Sequence, residues 1–291
     1  MNEHAPWAGV VLLSVCFTTA TPAHAQSDKP KAPPRPAVGW STELLDPIGL
    51  TRLHLTSRAV FANKTGYAVE GKVQFRLTDG MALSATLPFA IDASDGTVGN
   101  ITAGFTWAGT SGDHAEGFDF GGGLDVYLPV AGKNVGNGLV AALRAYEPML
   151  YVPDLFSFRA RGYAAYRTPR FFAAAELGLV PAFYLEGGGG TAILLSAAGR
   201  VGATLGSVEP YLEVAATPQI AGDGEIAPPL LVTPGVRFHI ADIFDPALFV
   251  SFNFVEASAI IVGLDLALAF RPGEKDRLEK SYEDDFLDGG F

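Results

Sequence analysis

From residue 50 to residue 270 the chain alternates between apolar and polar positions with a period of two. The stretch YAVEGKVQFRL (67–77) shows the pattern: Tyr67, Val69, Val73, Phe75 and Leu77 fall on one face, Glu70, Lys72, Gln74 and Arg76 on the other. That period belongs to β-strands. It recurs over twelve segments, about 50–62, 66–77, 81–91, 98–108, 118–130, 155–167, 170–180, 191–206, 210–217, 232–241, 247–256 and 258–270. The intervening 137–150 (NGLVAALRAYEPML) reads as a short helix within a loop.

Alternation also describes a soluble β-sandwich with its apolar face turned inward, so three further features bear on the choice. Most of the segments reach about ten residues, the length of a tilted membrane-spanning strand rather than the five or six usual in soluble sheets. The apolar face carries no charge in any of them: Leu53 and Leu55, Leu83 and Leu87, Phe105 and Trp107, Leu124 and Leu128, Leu248 and Phe252, Leu264 and Leu268 are examples. The polar face mixes small residues with Arg52, Arg58, Glu70, Lys72, Arg76, Asp119, Asp125, Arg159, Arg161, Glu176, Arg200 and Arg237, with Glu213 and Asp265 alongside them. Lipid outside and water inside demand that division, because Arg or Lys facing mid-bilayer costs about 2 to 4 kcal/mol.

Connection lengths point the same way. Thr78-Asp79-Gly80, Thr168-Pro169, 207–209 and 242–246 are short and share one side of the count, whereas 131–154, 181–190 and 218–231 are long and share the other. Three segments break the rule: 109–117 is long for its side, and the connections near Lys64 and Ala257 are short for theirs. Aromatic residues near strand ends, among them Phe61, Tyr67, Trp107, Phe118 and Phe270, suit interfacial girdles. The expected fold is all-β: a transmembrane antiparallel up-and-down β-barrel of about 12 strands, closed because an open edge in hydrocarbon would strand backbone polar groups. A secreted soluble β-sandwich is the alternative.

The ends are built differently. An apolar run from Ala8 to Phe17 followed by Ala23-His24-Ala25 reads as an export signal over 1–25, and the Pro-rich 26–39 reads as a periplasmic linker. The barrel is then expected over 40–270, with a polar, acidic tail over 271–291 holding four bases and seven acids. Cys16 is the single cysteine and lies within the signal, which leaves neither a disulfide framework nor a thiolate metal ligand. Without the signal the chain has 20 Lys and Arg against 30 Asp and Glu (31 less Glu3). An acidic chain of this kind offers no footprint for nucleic acid.

Chemistry beyond transport finds little support in the sequence. His54, His114 and His239 are accompanied by no serine-nucleophile motif and no paired metal-ligand spacing, and Gly187 to Gly190 lacks the Lys-Thr or helix that a phosphate loop needs. No catalytic residues, metal or cofactor are expected. The partners expected are outer-membrane lipid, the barrel-assembly machinery, for which GLDLALAF ending at Phe270 has the form of a terminal signal, and a small-molecule solute. Across the first hairpin, turning near Lys64, Arg58 is expected opposite Glu70. A charge-paired interior that braces a narrow barrel and a solute path lined by Arg52, Arg58, Arg76, Arg159 and Arg161 both fit twelve strands.

Four stretches carry a family resemblance: MALSATLPFAI (81–91), TVGNITAGFTWA (97–108), FDFGGGLDVYLPVAGKNVGNG (118–138) and LVTPGVRFHI (231–240). Together they resemble the outer-membrane barrels grouped with phenol-degradation meta-pathway transporters, over about 50–270. In that pattern a strand ends in Leu-Pro, a Gly-Asp turn opens the next, and that one ends in Leu-Pro before a Gly-rich loop. Asn100 stands here where the family usually has Asp. The resemblance implies passage of small, often apolar or aromatic, molecules across the outer membrane. A structural or adhesive barrel without transport remains the alternative.

Overall fold

The computed structural model describes residues 51–61, 65–78, 80–92, 96–113, 116–132, 148–185, 190–223, 230–240, 244–254 and 260–270. The export signal, the Pro-rich linker, the acidic tail and His114 lie outside them.

Twelve antiparallel strands form one closed sheet. They are β1 (Thr51–Phe61), β2 (Thr65–Thr78), β3 (Met81–Asp92), β4 in two segments (Gly96–Val98 and Ile101–Asp113), β5 (Glu116–Leu128), β6 (Leu155–Arg167), β7 (Phe171–Tyr184), β8 (Thr191–Ala203), β9 in two segments (Val208–Ala216 and Gln219–Gly222), β10 (Leu230–Phe238), β11 (Phe244–Asn253) and β12 (Ile260–Phe270). Each strand pairs with its neighbours in sequence. The ring closes where β1 meets β12, from Thr51↔Phe270 to Phe61↔Ile260. Closure leaves no edge, which the hydrocarbon of a bilayer requires. One helical turn, α1 (Pro148–Tyr151), precedes β6. Among the described residues no helix is long and apolar enough to cross a membrane.

The structure lengthens several strands relative to the sequence pattern. β4 and β5 run on to Asp113↔Glu116, so the segment 109–117 that broke the loop rule is a continuing hairpin. β7 reaches Tyr184 and β11 begins at Phe244. The connections at the end holding Thr51 and Phe270 are then 79–80, 114–115, 168–170, 204–207 and 239–243, all short, while 129–154 dominates the opposite end. Short turns mark the periplasmic end of such barrels. The first hairpin pairs Phe61 with Thr65, so it is centred on residue 63, and Arg58 lies opposite Ala68 rather than Glu70. Leu87-Pro88 does not end a strand but lies inside β3, and Gly99-Asn100 is not a turn. Phe89 pairs with Val98 but Thr86 pairs with Thr102, which places one extra residue on β4: a β-bulge.

The outer face is apolar throughout its middle. Leu55, Phe75, Leu87, Leu124, Leu177 and Leu248 all point outward, Leu177 with 62% of its surface exposed. Glu116, exposed, sits at the tip of a periplasmic hairpin. Aromatic side chains cluster towards the two ends, Trp107, Phe118 and Phe120 at the periplasmic end and Phe156, Phe158 and Phe183 at the other, with ring centroids 6.3 to 6.5 Å apart. Leu264→Arg, midway along β12, is expected to lower folding stability in lipid vesicles by about 2 to 4 kcal/mol, read from denaturant unfolding. A change below about 0.5 kcal/mol would mean that this face does not meet hydrocarbon.

Candidate functional site: the barrel interior

Inward positions alternate with the apolar outer ones along every strand, and they divide the interior into two layers. Towards the loop end the wall is largely apolar: Val60, Val180, Leu194, Leu231 and Ile261 are each at most 4% exposed, with Thr97, Ser157, Thr217 and Asn253 buried among them. Met149, Leu150 and Tyr151 of α1 pack into this layer with Leu155. The long connection between β5 and β6 therefore folds inward at its C-terminal end and fills the outer part of the barrel.

Asn100 holds it there. The bulge in β4 turns this residue to the interior, where it is fully buried. Its Nδ2 donates to the carbonyls of Met149 and Val152, both at 2.8 Å, and its Oδ1 accepts from the Ala131 N–H at 2.9 Å. Its own N–H donates to Leu150 O at 2.6 Å. One side chain thus ties both described ends of the connection to the wall. Gly99 makes the approach possible: a Cβ there would stand 2.6 Å from Leu150 O and 2.8 Å from Pro88 Cγ. On the opposite strand the Pro88 carbonyl accepts from the Gly99 N–H at 2.9 Å, and a proline, with no N–H to donate, suits the bulge, where regular ladder bonding lapses.

Towards the periplasm the interior is charged, and most of the charges are paired. Arg159 Nη2 lies 3.1 Å from Asp125 Oδ2 and Arg161 Nε lies 3.0 Å from the same oxygen. Glu176 completes the group, 3.0 Å from Arg161 Nη1 and 3.8 Å from Arg159 Nη1. Arg58 reaches Glu70 diagonally across the β1–β2 pair at 3.2 Å, so the contact expected from sequence forms despite the shifted register. Arg200 pairs with Glu213 at 2.9 Å while its guanidinium carbon sits 4.0 Å from the centre of the Tyr211 ring. Thr56 donates to Asp265, which also lies 4.0 Å from His54.

The sequence-expected lining residues do not form one site. Asp125, Arg159, Arg161 and Glu176 come together, with Arg58, Glu70 and Lys72 nearby on β1 and β2. Arg52 is buried at the periplasmic end of β1. Arg76 is exposed at the mouth, its Nε donating to Thr78 O at 3.3 Å. Asp119 lies near the same rim, 3.8 Å from Arg167, and Arg237 is 3.9 Å from Glu209. Between the two layers remains a cavity of about 40 Å³, room for a few ordered waters. Lys72, Thr102 and Tyr127 reach it from the wall, and Met149 and Leu150 form its roof.

At the periplasmic rim His239 lies between two carboxylates, with Nδ1 2.8 Å from Asp245 Oδ1 and Nε2 3.1 Å from Glu209 Oε2. The hydrogen bond to Asp245 and then that to Glu209 hold its pKa up, at about 9. Both ring nitrogens are committed to carboxylates on opposite sides, a geometry that neither activates a hydroxyl nor converges on one metal ion. Among the described residues no group of His, Asp and Glu could hold a metal. Because the folded value exceeds the ordinary 6.5, this contribution to stability is full below about pH 6.5, falls between there and about pH 9, and is absent above. The 13C-edited NMR titration of His239 in micelles is expected to give a midpoint near 9, and a midpoint near 6.5 would break the rim arrangement.

The short helix expected over 137–150 is met at 148–150 by α1, and 137–147 lie outside the described residues; what the sequence did not indicate is that α1 fills the barrel and that Asn100 anchors it. The apolar string Met149-Leu150-Tyr151-Val152 just before β6 was the available signal.

A closed barrel of twelve strands, apolar outside and charged within, defines a transmembrane β-barrel of the outer-membrane kind. Its fold is similar to that of the COG4313 outer membrane channel from Pseudomonas putida F1, at 10% sequence identity and a TM-score of 0.54, over 83% of this chain and 100% of that one. It is also similar to the KdgM porin in complex with disordered oligogalacturonate (9% identity, TM-score 0.52, 76% of this chain and 99% of that one). The NanC porin gives 8% identity and a TM-score of 0.50, over 75% of this chain and 99% of that one. No family model and no curated protein matches the sequence. At such identities the likeness is one of fold.

Proposed function

We propose that this protein is a narrow outer-membrane channel for small solutes, shut at its outer end by the inward-folded β5–β6 connection. The observation that carries the reading is the change of layer inside the barrel. A purely structural barrel gains nothing from a charged half beneath an apolar cap, whereas a passage needs a wet, charged section and a place to close it. Arg58, Glu70, Lys72, Asp125, Arg159, Arg161 and Glu176 line the charged section, with Arg52, Arg76, Asp119, Arg200 and Arg237 towards the periplasmic mouth.

The resemblance to the phenol-degradation meta-pathway barrels adds a solute class, small apolar or aromatic molecules, and the apolar outer layer of the interior suits it. Fold likeness to solved channels and porins supports passage in general. Phe270 closing β12 beside Thr51 supports recognition by the barrel-assembly machinery, following export by residues 1–25.

Reconstitution in planar bilayers tests the reading. Discrete openings of low conductance are expected from the refolded full chain, with a shift in electrophoretic mobility on boiling as the sign of a closed barrel. A heat-modifiable barrel that stays silent even after deletion of 133–147 would leave the structural or adhesive reading instead.

A further inference from the structure

Three neighbouring groups make the cavity beneath α1 more than a gap in packing. The first is an ammonium with no carboxylate in contact among the described residues. Arg58, Lys72, Arg159 and Arg161 are gathered with Glu70, Asp125 and Glu176, and the arginines hold the carboxylates. Glu70 is taken by Arg58 at 3.2 Å, while Asp125 and Glu176 are shared between Arg159 and Arg161. Lys72 makes no ion pair with any of them, although it lines the cavity. An ammonium inside a barrel with no carboxylate of the described residues within 4.0 Å is costly to keep charged unless an anion can approach it.

The second is an unused donor. Thr102 is 7% exposed and lines the same cavity, and its Oγ1 has no hydrogen-bond partner. Buried hydroxyls in folded proteins are nearly always paired, so one that opens into a cavity is placed for something the cavity holds. Ser84 and Thr86, on the strand between Lys72 and Thr102, add hydroxyls to that wall. The third is the roof, where Met149 and Leu150 present apolar surface opposite these donors.

We propose that this cavity binds a small carboxylate, its oxygens on the Lys72 ammonium and the Thr102 hydroxyl and its carbon end under Met149 and Leu150. Glu70 and Asp125 also face the cavity, each held by an arginine, so Lys72 is the cation free to meet an entering carboxylate. At about 40 Å³ the space takes a molecule of acetate's size with α1 in place. Larger carboxylates require α1 to move. The proposal rests on the channel reading and narrows its solute class to small apolar or aromatic molecules that carry a carboxylate.

Ligand-observed NMR tests it on the refolded full chain in micelles, with 13C-labelled acetate as the probe and acetamide as its neutral counterpart. Saturable broadening of acetate alone is expected, at least fivefold weaker in Lys72→Met and Thr102→Val and largely kept in Lys72→Arg. Equal broadening of acetamide, or unchanged acetate binding in a heat-modifiable Lys72→Met barrel, would overturn the site. The measurement does not depend on conduction. A barrel that binds acetate through Lys72 but never conducts would sink the channel reading alone, and one that conducts while Lys72→Met binds normally would sink the site alone.

Discussion

Replacing Asn100 by Ala should turn a mostly silent barrel into one that opens. The substitution leaves the carbonyls of Met149 and Val152 and the N–H of Ala131 without the partners they have at 2.8, 2.8 and 2.9 Å. Each such group costs about 1 to 3 kcal/mol if it stays buried. The connection can escape that cost by leaving the barrel and taking its polar groups to water, so the closed state loses its advantage over the open one. A tenfold or greater rise in open probability in planar bilayers is expected, together with faster proteolysis within 133–147. Asn100→Asp separates the contacts further. The carboxylate still accepts from Ala131 but cannot donate to the two carbonyls, and it sets a negative charge against their oxygens. It should therefore behave nearly as Ala does in gating, although Asp is the residue usual in the family this chain resembles. Unchanged gating and proteolysis in both variants would mean that α1 does not close the passage.

Much of the wall was legible in the sequence because a strand's inside and outside follow from parity alone. Leu53, Leu87 and Leu264 were assigned to lipid, and Asp125, Arg159 and Glu176 to the interior, without knowing which strand met which. Two kinds of feature escaped. Register depends on the centre of each turn, and one residue of error at the first hairpin placed Arg58 opposite Glu70 when it lies opposite Ala68. Long side chains forgave the error, since Arg58 spans the diagonal to the same carboxylate. The inward fold of 148–151 escaped for a different reason: nothing periodic distinguishes an apolar turn packed inside a barrel from one lying in an outer loop. Long-range contacts reveal it, those of Asn100 with residues 31 to 52 positions further along the chain and those of Met149 to Tyr151 with the apolar wall.

The second large effect concerns the four-membered charge cluster, and it separates bracing from transport. Asp125→Ala removes the carboxylate that both Arg159 and Arg161 approach within 3.1 Å, leaving Glu176 to balance two buried guanidiniums. Breaking a buried pair from one side costs about 3 to 5 kcal/mol, so Asp125→Ala should lower the unfolding free energy in vesicles by that much. Removing both partners is a different matter. Asp125→Leu with Arg161→Met keeps Arg159 and Glu176, 3.8 Å apart, and should be less destabilised than either single variant, because apolar replacement of a buried pair is often close to neutral. If the double variant is instead the sum of the two singles, the residues are not coupled and the cluster is not a unit. Ion selectivity supplies the independent reading. Arg159→Ala with Arg161→Ala should reduce preference for anions in single-channel records if the cluster borders the solute path. A large loss of stability with unchanged selectivity would make the cluster a brace across the barrel and move the path to the Lys72 side of the lumen.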